Sequence, residues 1–301
     1  MNLINLDSLT KDEIKSIFTI TKKYYESRNK KRFIQKLFSS LDIKNSILVS
    51  AFFEPSTRTQ LSFETAMLRI GGQVLRFNKD TSSVKKGETF TDTVKTLENY
   101  GDIMVIRHPT KGILKNINTV TELPVINGGD GDGEHPTQAL LDLFCIWMKY
   151  NGNIEGRVVV LYGDCKHSRT IHSLVKLLEL FNIKYYYLSY PNRYILNNYM
   201  NILLEHLKDS NPDVIYCTRM QNERDEGQSI PKDMLINKTF INSYVNNDKI
   251  KNNEFLLLHP LPRNEEISTE IDNETYVGYF DAMKYSVYLR GVLICKCLTK
   301  S

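Results

Sequence analysis

The sequence predicts an α/β protein of two Rossmann-like domains with parallel sheets, joined by helices, and three observations predict it. Short runs rich in Val, Ile, Leu and Phe recur at residues 47–53, 102–106, 157–162, 214–217 and 255–258, the profile of strands buried on both faces. Several end in a polar turn and pass into helical spacing, as where Phe63, Ala66, Met67 and Ile70 fall at i, i+3, i+4 and i+7. Turn residues cluster at 150–156, and a fresh α/β pattern begins directly after them, so the chain divides into 1–150 and 151–284, with 285–301 as a closing helical segment. With 301 residues and 41% hydrophobic content, there is material for two cores.

Composition narrows the function. Lys and Arg number 39 and Asp and Glu 35, a net charge of +4 with both signs interspersed, so no face is committed to nucleic acid and the modest basic excess suits small acidic substrates. The five cysteines, Cys145, Cys165, Cys217, Cys295 and Cys297, lack CxxC spacing and fall mostly in apolar stretches. They predict reduced, buried thiols of a cytoplasmic protein, with no disulfide framework and no metal. Residues 1–18 lack a basic or apolar leader pattern, and no apolar run approaches a membrane span, so a soluble protein with no membrane partner is expected.

Taken in order, residues 7–40 read as one or two amphipathic helices, opened by Thr10 with Glu13 three residues on as a capping box. The first strand meets a helix at Glu54-Pro55-Ser56-Thr57-Arg58-Thr59-Gln60. With Ser56 at the N-cap, the amides of Thr57, Arg58 and Thr59 point outward at the positive end of a helix dipole, beside two hydroxyls and a guanidinium. Such a nest suits a phosphate, and the same residues also suit an ordinary capped helix. Gly71-Gly72 ends that helix, 73–77 is a partly exposed strand, and 81–88, with Ser82, Lys86 and Gly87, is a polar loop. A helix over 89–100 leads to a strand over 102–109 that ends in Arg107-His108-Pro109, a charged pair where open α/β sheets hold ligands. Strand 123–127 and a glycine-rich turn at 128–133 follow. That turn is no dinucleotide loop: the third glycine is missing in every register, and Asp130, Asp132 and Glu134 would repel a pyrophosphate. His135-Pro136-Thr137-Gln138 then opens a helix with His135 and Gln138 on one face of its first turn.

In the second half, a strand over 157–164 leads through Cys165-Lys166-His167-Ser168 to Arg169 at a helix start, the place to grip a carboxylate bidentately. Cys165, His167 and His172 match no common zinc spacing. A Tyr-rich strand over 183–190, one helix over 197–209 and a strand over 214–219 ending in Arg219, with Gln221 after it, come next. A loop at 246–254, a strand at 255–258, the turn His259-Pro260-Leu261-Pro262-Arg263 and a closing helix over 285–297 complete the pattern.

The strings FEPSTRTQLSFE and HPTQALLD, supported by Arg107, Arg169, the Arg219 loop and HPLP, resemble the signatures of the aspartate and ornithine carbamoyltransferases, in order along nearly the whole chain. HPLP resembles the aspartate branch, since the ornithine branch typically carries a Cys in that turn. The resemblance implies transfer of a carbamoyl group from carbamoyl phosphate to the amine of L-aspartate, in pyrimidine biosynthesis, without a cofactor. It implies that Ser56, Thr57, Arg58, Thr59, Ser82, Arg107, His135, Gln138 and the Pro260-Leu261-Pro262 turn hold carbamoyl phosphate, with Arg58, Thr59, Lys86, Arg107, His135 and Gln138 catalytic. Lys86, Arg169, Arg219 and Gln221 would bind aspartate, and Glu54 and Arg224 would act in domain closure. It further implies a homotrimer whose neighbours lend Ser82 and Lys86 to each site, room for regulatory chains, and a last helix that packs back on the first domain. An ornithine-type transferase and a catalytically silent carbamoyl phosphate-binding paralogue are the alternatives. The stretch 191–213 departs from the family pattern, with room for one helix where a strand and a helix are usual.

Overall fold

The computed structural model describes residues 2–30, 43–193, 195, 200–221 and 229–299. Two compact units result, Met1–Thr137 with Met283–Ser301, and Gln138–Ala282.

The first unit opens with α1 (Lys11–Glu26), held by the expected capping box: Glu13 N–H donates to Thr10 Oγ1 at 3.2 Å and Thr10 N–H to the Glu13 carboxylate at 3.0 Å. Its face of Ile14, Ile17, Phe18 and Tyr24 is buried. Residues 31–40 of the helical stretch expected over 7–40 lie outside the described residues. Four parallel strands follow, β1 (Ile47–Phe52), β2 (Gln73–Asn78), β3 (Ile103–His108) and β4 (Val125–Asp130), in the order β2-β1-β3-β4. Helix α2 (Thr57–Ile70) lies between β1 and β2, and α3 (Phe90–Glu98) between β2 and β3. The central strands β1 and β3 are buried on both faces, as their mostly apolar runs require, while β2, at the edge of the sheet, has no buried residue. Gly71, left-handed at φ 103°, ends α2 as a glycine without a Cβ can.

Two expectations need correction here. Strand β4 runs on through Gly128, Gly129 and Asp130, residues expected in a turn, because the pairing of β3 with β4 shifts register between Ile106 and His108. Gly129 at φ 119° follows the irregular ladder where a side chain would not. The polar loop over 81–88 is also more ordered than its sequence suggests: 3₁₀ turns at Lys79–Thr81 and Ser83–Lys86 fill it, and Gly87 closes the second.

The second unit takes in most of α4 (Pro136–Lys149), then β5 (Val158–Gly163), α5 (Arg169–Leu180), β6 (Lys184–Ser189), β7 (Val214–Thr218), α6 (Lys238–Tyr244), α7 (Asn247–Lys251) and β8 (Leu256–Leu258). Its strands are parallel in the order β6-β5-β7-β8, the pattern of the first sheet repeated. The helix expected over 197–209 is absent from its described part: Met200–Ile202 lies along the β6 edge, with Tyr187 N–H donating to the Met200 carbonyl and Ile202 N–H to the Tyr187 carbonyl, each at 2.8 Å. Leu204–His206 keeps only a single 3₁₀ turn, and Ile202 and Leu204 pack on the core, so pairing with the sheet edge and burial override α-helical propensity. The Asn/Lys segment expected as a loop holds α7, capped by Asn246, and α6 just before it was not expected.

The closing helix α8 (Tyr279–Thr299) starts six residues earlier than the spacing suggests. From Met283 onward it belongs to the first unit: Tyr288 meets Tyr24 edge to face at 4.9 Å, Lys296 pairs with Glu13 at 3.1 Å, and the buried Arg290 donates to the hydroxyl of Ser62 on α2. The last helix therefore packs back on the first unit. Among the described residues, no helix is long and apolar enough to cross a membrane.

Candidate active site

In a sheet of order β2-β1-β3-β4 the chain leaves β1 in one direction and returns on the other side, so the carboxyl ends of β1 and β3 flank a topological switch point. Of the predicted residues of the first unit, Glu54, Arg107 and His135 meet there. Phe52 is in register with Arg107, and Phe53 N–H donates to the Arg107 carbonyl at 2.8 Å, which brings the turn after β1 against the end of β3.

Arg107 is the centre of this group. Its Nη2 lies 2.5 Å from Glu54 Oε1, its Nη1 donates to the Gly128 carbonyl at 3.2 Å, and the same Nη1 is 3.5 Å from His135 Nε2. A guanidinium can only donate, so the ring nitrogen of His135 facing it is an acceptor. Gly129 permits this approach, since a Cβ there would stand 3.0 Å from Arg107 Nη1.

The start of α2 differs from the expected cap in one respect. Ser56 occupies the N-cap position in extended backbone, but its side chain makes no cap hydrogen bond. Nothing from Ser56 covers the first-turn amides, which an α-helix leaves without an internal acceptor. Thr57 and Arg58 are exposed and Thr59 is buried. Ser62, one turn on, accepts from Arg290 and returns its own proton to the Arg58 and Thr59 carbonyls, which ties the α2 start to α8.

His108, expected as half of a charged pair, is not a second cation. Burial first, then Lys79, pushes its pKa down; its Nδ1 accepts from Thr110 N–H at 3.0 Å, and its ring meets Phe53 and Phe90. The acidic residues of the glycine-rich stretch also have structural partners: Asp130 accepts from Gly112 N–H at 2.8 Å and Glu134 N–H at 2.7 Å. Ser82 is half-buried and its hydroxyl donates to the Lys79 carbonyl, while Lys86 is exposed.

The second unit repeats the arrangement at the carboxyl ends of β5 and β7. Gly163 must be glycine, for at φ 109° a Cβ would stand 2.3 Å from the Thr218 carbonyl oxygen. The fully buried Asp164 just after it accepts Gln221 N–H at 3.0 Å and His167 N–H at 3.2 Å, so one carboxylate ties the loop carrying Arg169 to the loop carrying Arg219. Arg169 opens α5 and Arg219 ends the β7 stretch, both half-buried. Arg224 lies outside the described residues. Gln138, in α4, is buried and donates from Nε2 to Asp142. The 260–262 turn is held from below: Leu261 N–H donates to His259 Nδ1 at 2.8 Å, and His259 Nε2 meets Glu266 at 2.9 Å.

Sequence reasoning missed Asp164 and the wholly buried Arg193, whose Nη1 is 3.0 Å from His167 Nδ1. An Asp at a strand end signals a turn as readily as an anchor, and nothing in a Pro-Asn-Arg string announces burial. Periodicity marks Asp142 and Tyr216 only as a helix and a strand position. Among the described residues no group of three or more His, Cys, Asp or Glu is placed to hold a metal ion.

Two doubly wound units whose switch points carry arginines define an enzyme that handles anionic substrates. The carbamoyl-P binding domain of the aspartate/ornithine carbamoyltransferases matches residues 1–148, and their Asp/Orn binding domain matches residues 155–297. The chain belongs to the aspartate/ornithine carbamoyltransferase family. It is 38% identical over 315 residues to the aspartate carbamoyltransferase catalytic subunit of Thermoplasma volcanium, covering 99% of this chain and 98% of that one. To the catalytic subunit from Clostridium perfringens it is 41% identical over 273 residues, 84% of this chain and 85% of the relative. Among solved structures, the catalytic subunit of M. jannaschii aspartate transcarbamoylase superposes with TM-score 0.85 at 33% identity, covering 100% of this chain and 98% of that one. The Trypanosoma cruzi enzyme in complex with carbamoyl phosphate superposes with TM-score 0.81 at 28% identity, covering 98% and 95%.

Proposed function

We infer that the chain transfers the carbamoyl group of carbamoyl phosphate to the α-amine of L-aspartate, giving N-carbamoyl-L-aspartate and phosphate, an early step of de novo pyrimidine biosynthesis. The observation that carries the reading is the pair of domain matches, in order, over residues 1–148 and 155–297. Carbamoyl phosphate is a mixed anhydride and already activated, so orientation and charge stabilisation are the protein's work. Residues 1–150 hold carbamoyl phosphate: the α2 amides with Ser56, Thr57, Arg58, Thr59 and Arg107 take the phosphate, while Thr59, Arg107 and His135 polarise the carbonyl. Gln138 and the Pro260-Leu261-Pro262 turn orient the amide end. Residues 151–284 bind aspartate, through Arg169, Arg219 and Gln221, and residues 285–301 complete the first domain. Ser82 and Lys86 come from a neighbouring copy in a cytoplasmic homotrimer, and Glu54 with Arg224 acts in domain closure. The exposure of Lys86 supports that loan.

The aspartate branch is preferred because two arginines suit a second carboxylate and disfavour the cationic side chain of ornithine. The test is a steady-state assay with carbamoyl phosphate and either aspartate or ornithine, run beside a measurement of mass in solution. Turnover with aspartate by a particle of three chains is the expected result. Turnover with ornithine alone would move the chain to the other branch, none with either would make it a silent paralogue, and a fully active monomer would remove the shared site.

A further inference from the structure

Asp142 sits one turn after Gln138 on α4, on the same face by the i, i+4 rule, and is 2% exposed. Its Oδ1 accepts Gln138 Nε2–H at 2.9 Å, and its Oδ2 accepts the hydroxyl of Tyr216 at 2.8 Å. Tyr216 stands in β7, opposite Leu161 of β5 and Leu258 of β8, and is fully buried. Burial first, then the Asp142 charge, holds its phenol pKa well above the ordinary value, so it stays a donor. Keeping a carboxylate out of water is costly, and an apolar pair would fill this space more cheaply. Orientation explains why a charge is kept. A carboxylate offers only lone pairs, so the Gln138 amide must turn its NH₂ toward Asp142, which leaves its carbonyl Oε1 as the end presented to a ligand.

We propose that Asp142 and Tyr216 are positioning residues that fix the Gln138 amide with Oε1 as an acceptor for the carbamoyl NH₂, so that this corner distinguishes carbamoyl phosphate from an acyl phosphate with a methyl in that place. The proposal rests on the role given to Gln138 above. In Asp142→Asn the new amide offers both a donor and an acceptor, and Gln138 is free to turn round. In Tyr216→Phe the carboxylate loses one of its anchors.

Calorimetric binding of carbamoyl phosphate, acetyl phosphate and inorganic phosphate to the full chain and to both variants tests it, with circular dichroism to verify folding. In Asp142→Asn, carbamoyl phosphate should bind about tenfold more weakly, the upper end for one neutral hydrogen bond, while the other two ligands stay within about twofold. Tyr216→Phe should act in the same direction more weakly, and decides the matter alone should Asp142→Asn fail to fold. Equal weakening of all three ligands would make the pair merely structural, and unchanged carbamoyl phosphate binding in the folded variants would overturn the proposal. Failure of the parent to bind carbamoyl phosphate would instead overturn the functional reading, and this inference with it.

Discussion

Glu54 Oε1 lies 2.5 Å from Arg107 Nη2, so the carboxylate just after β1 and the guanidinium at the end of β3 neutralise each other across the switch point. Both side chains are mostly buried, at 23% and 11% exposure, and at this depth the pair is screened far less than a surface pair. An incoming phosphate must compete with Glu54 for Arg107, and binding it would set the carboxylate loose for another arginine.

Glu54→Gln removes that competitor. Inorganic phosphate should bind at least as tightly as to the parent, while the KM for aspartate rises more than that for carbamoyl phosphate. Titration calorimetry with phosphate and initial rates with each substrate varied decide it; a large loss of phosphate affinity would mean that Glu54 supports the site instead of competing for it.

Arg58→Ala and Arg107→Ala should each lower kcat by at least about a hundredfold, the usual loss when one donor leaves a site that stabilises developing negative charge. Arg58 is exposed, so its variant should keep the parent's melting temperature. Near-normal turnover in either variant would withdraw that residue's assignment.

Gly129→Ala places a methyl 3.0 Å from Arg107 Nη1 at a φ of 119° that suits only glycine. The chain should lose roughly 1–3 kcal/mol of stability to backbone strain, and phosphate affinity should fall as Arg107 is displaced. Urea unfolding and phosphate binding measure the two effects separately; parent-like values in both would show that the loop yields.

Asp272 tests the pH dependence. Its carboxylate accepts from both terminal nitrogens of Arg263 and, at 2.6 Å, from the Tyr279 hydroxyl, and Arg263 above all holds its pKa below the ordinary 3.8. A lowered carboxylate pKa contributes stability that is present in full above the unfolded value and is lost as pH falls through the folded one. The stability gap between parent and Asp272→Asn should therefore be constant near neutrality and close below a pH of about 3.8. Urea melts at pH 7, 5, 4 and 3 measure it, and a gap unchanged at pH 3 would count against the pairing.

What could be read from the sequence followed from periodicity and from strings long enough to be specific. Strands 47–53 and 214–219, the α2 stripe ending at Gly71 and the Thr10–Glu13 capping box need only neighbours along the chain, and they stand where expected. The misses depend on partners far away. Gly128–Asp130 became strand because β3 shifts register beside it, and residues 200–202 became extended because the β6 edge offered hydrogen bonds. Asp164 is 57 residues from the Gln221 amide it holds, and Asp142 is 74 from Tyr216, separations at which one sequence carries no pairing signal.

The α8 helix sets an order for biosynthesis. A ribosome releases the four strands of the first sheet long before it reaches Met283, yet Arg290, Tyr288 and Lys296 are what close over Ser62, Tyr24 and Glu13. The nascent amino-terminal half must wait, with α1 and α2 uncovered on that side, until translation has passed through the other half. Clipping the chain within α8 would accordingly injure the end that was made first.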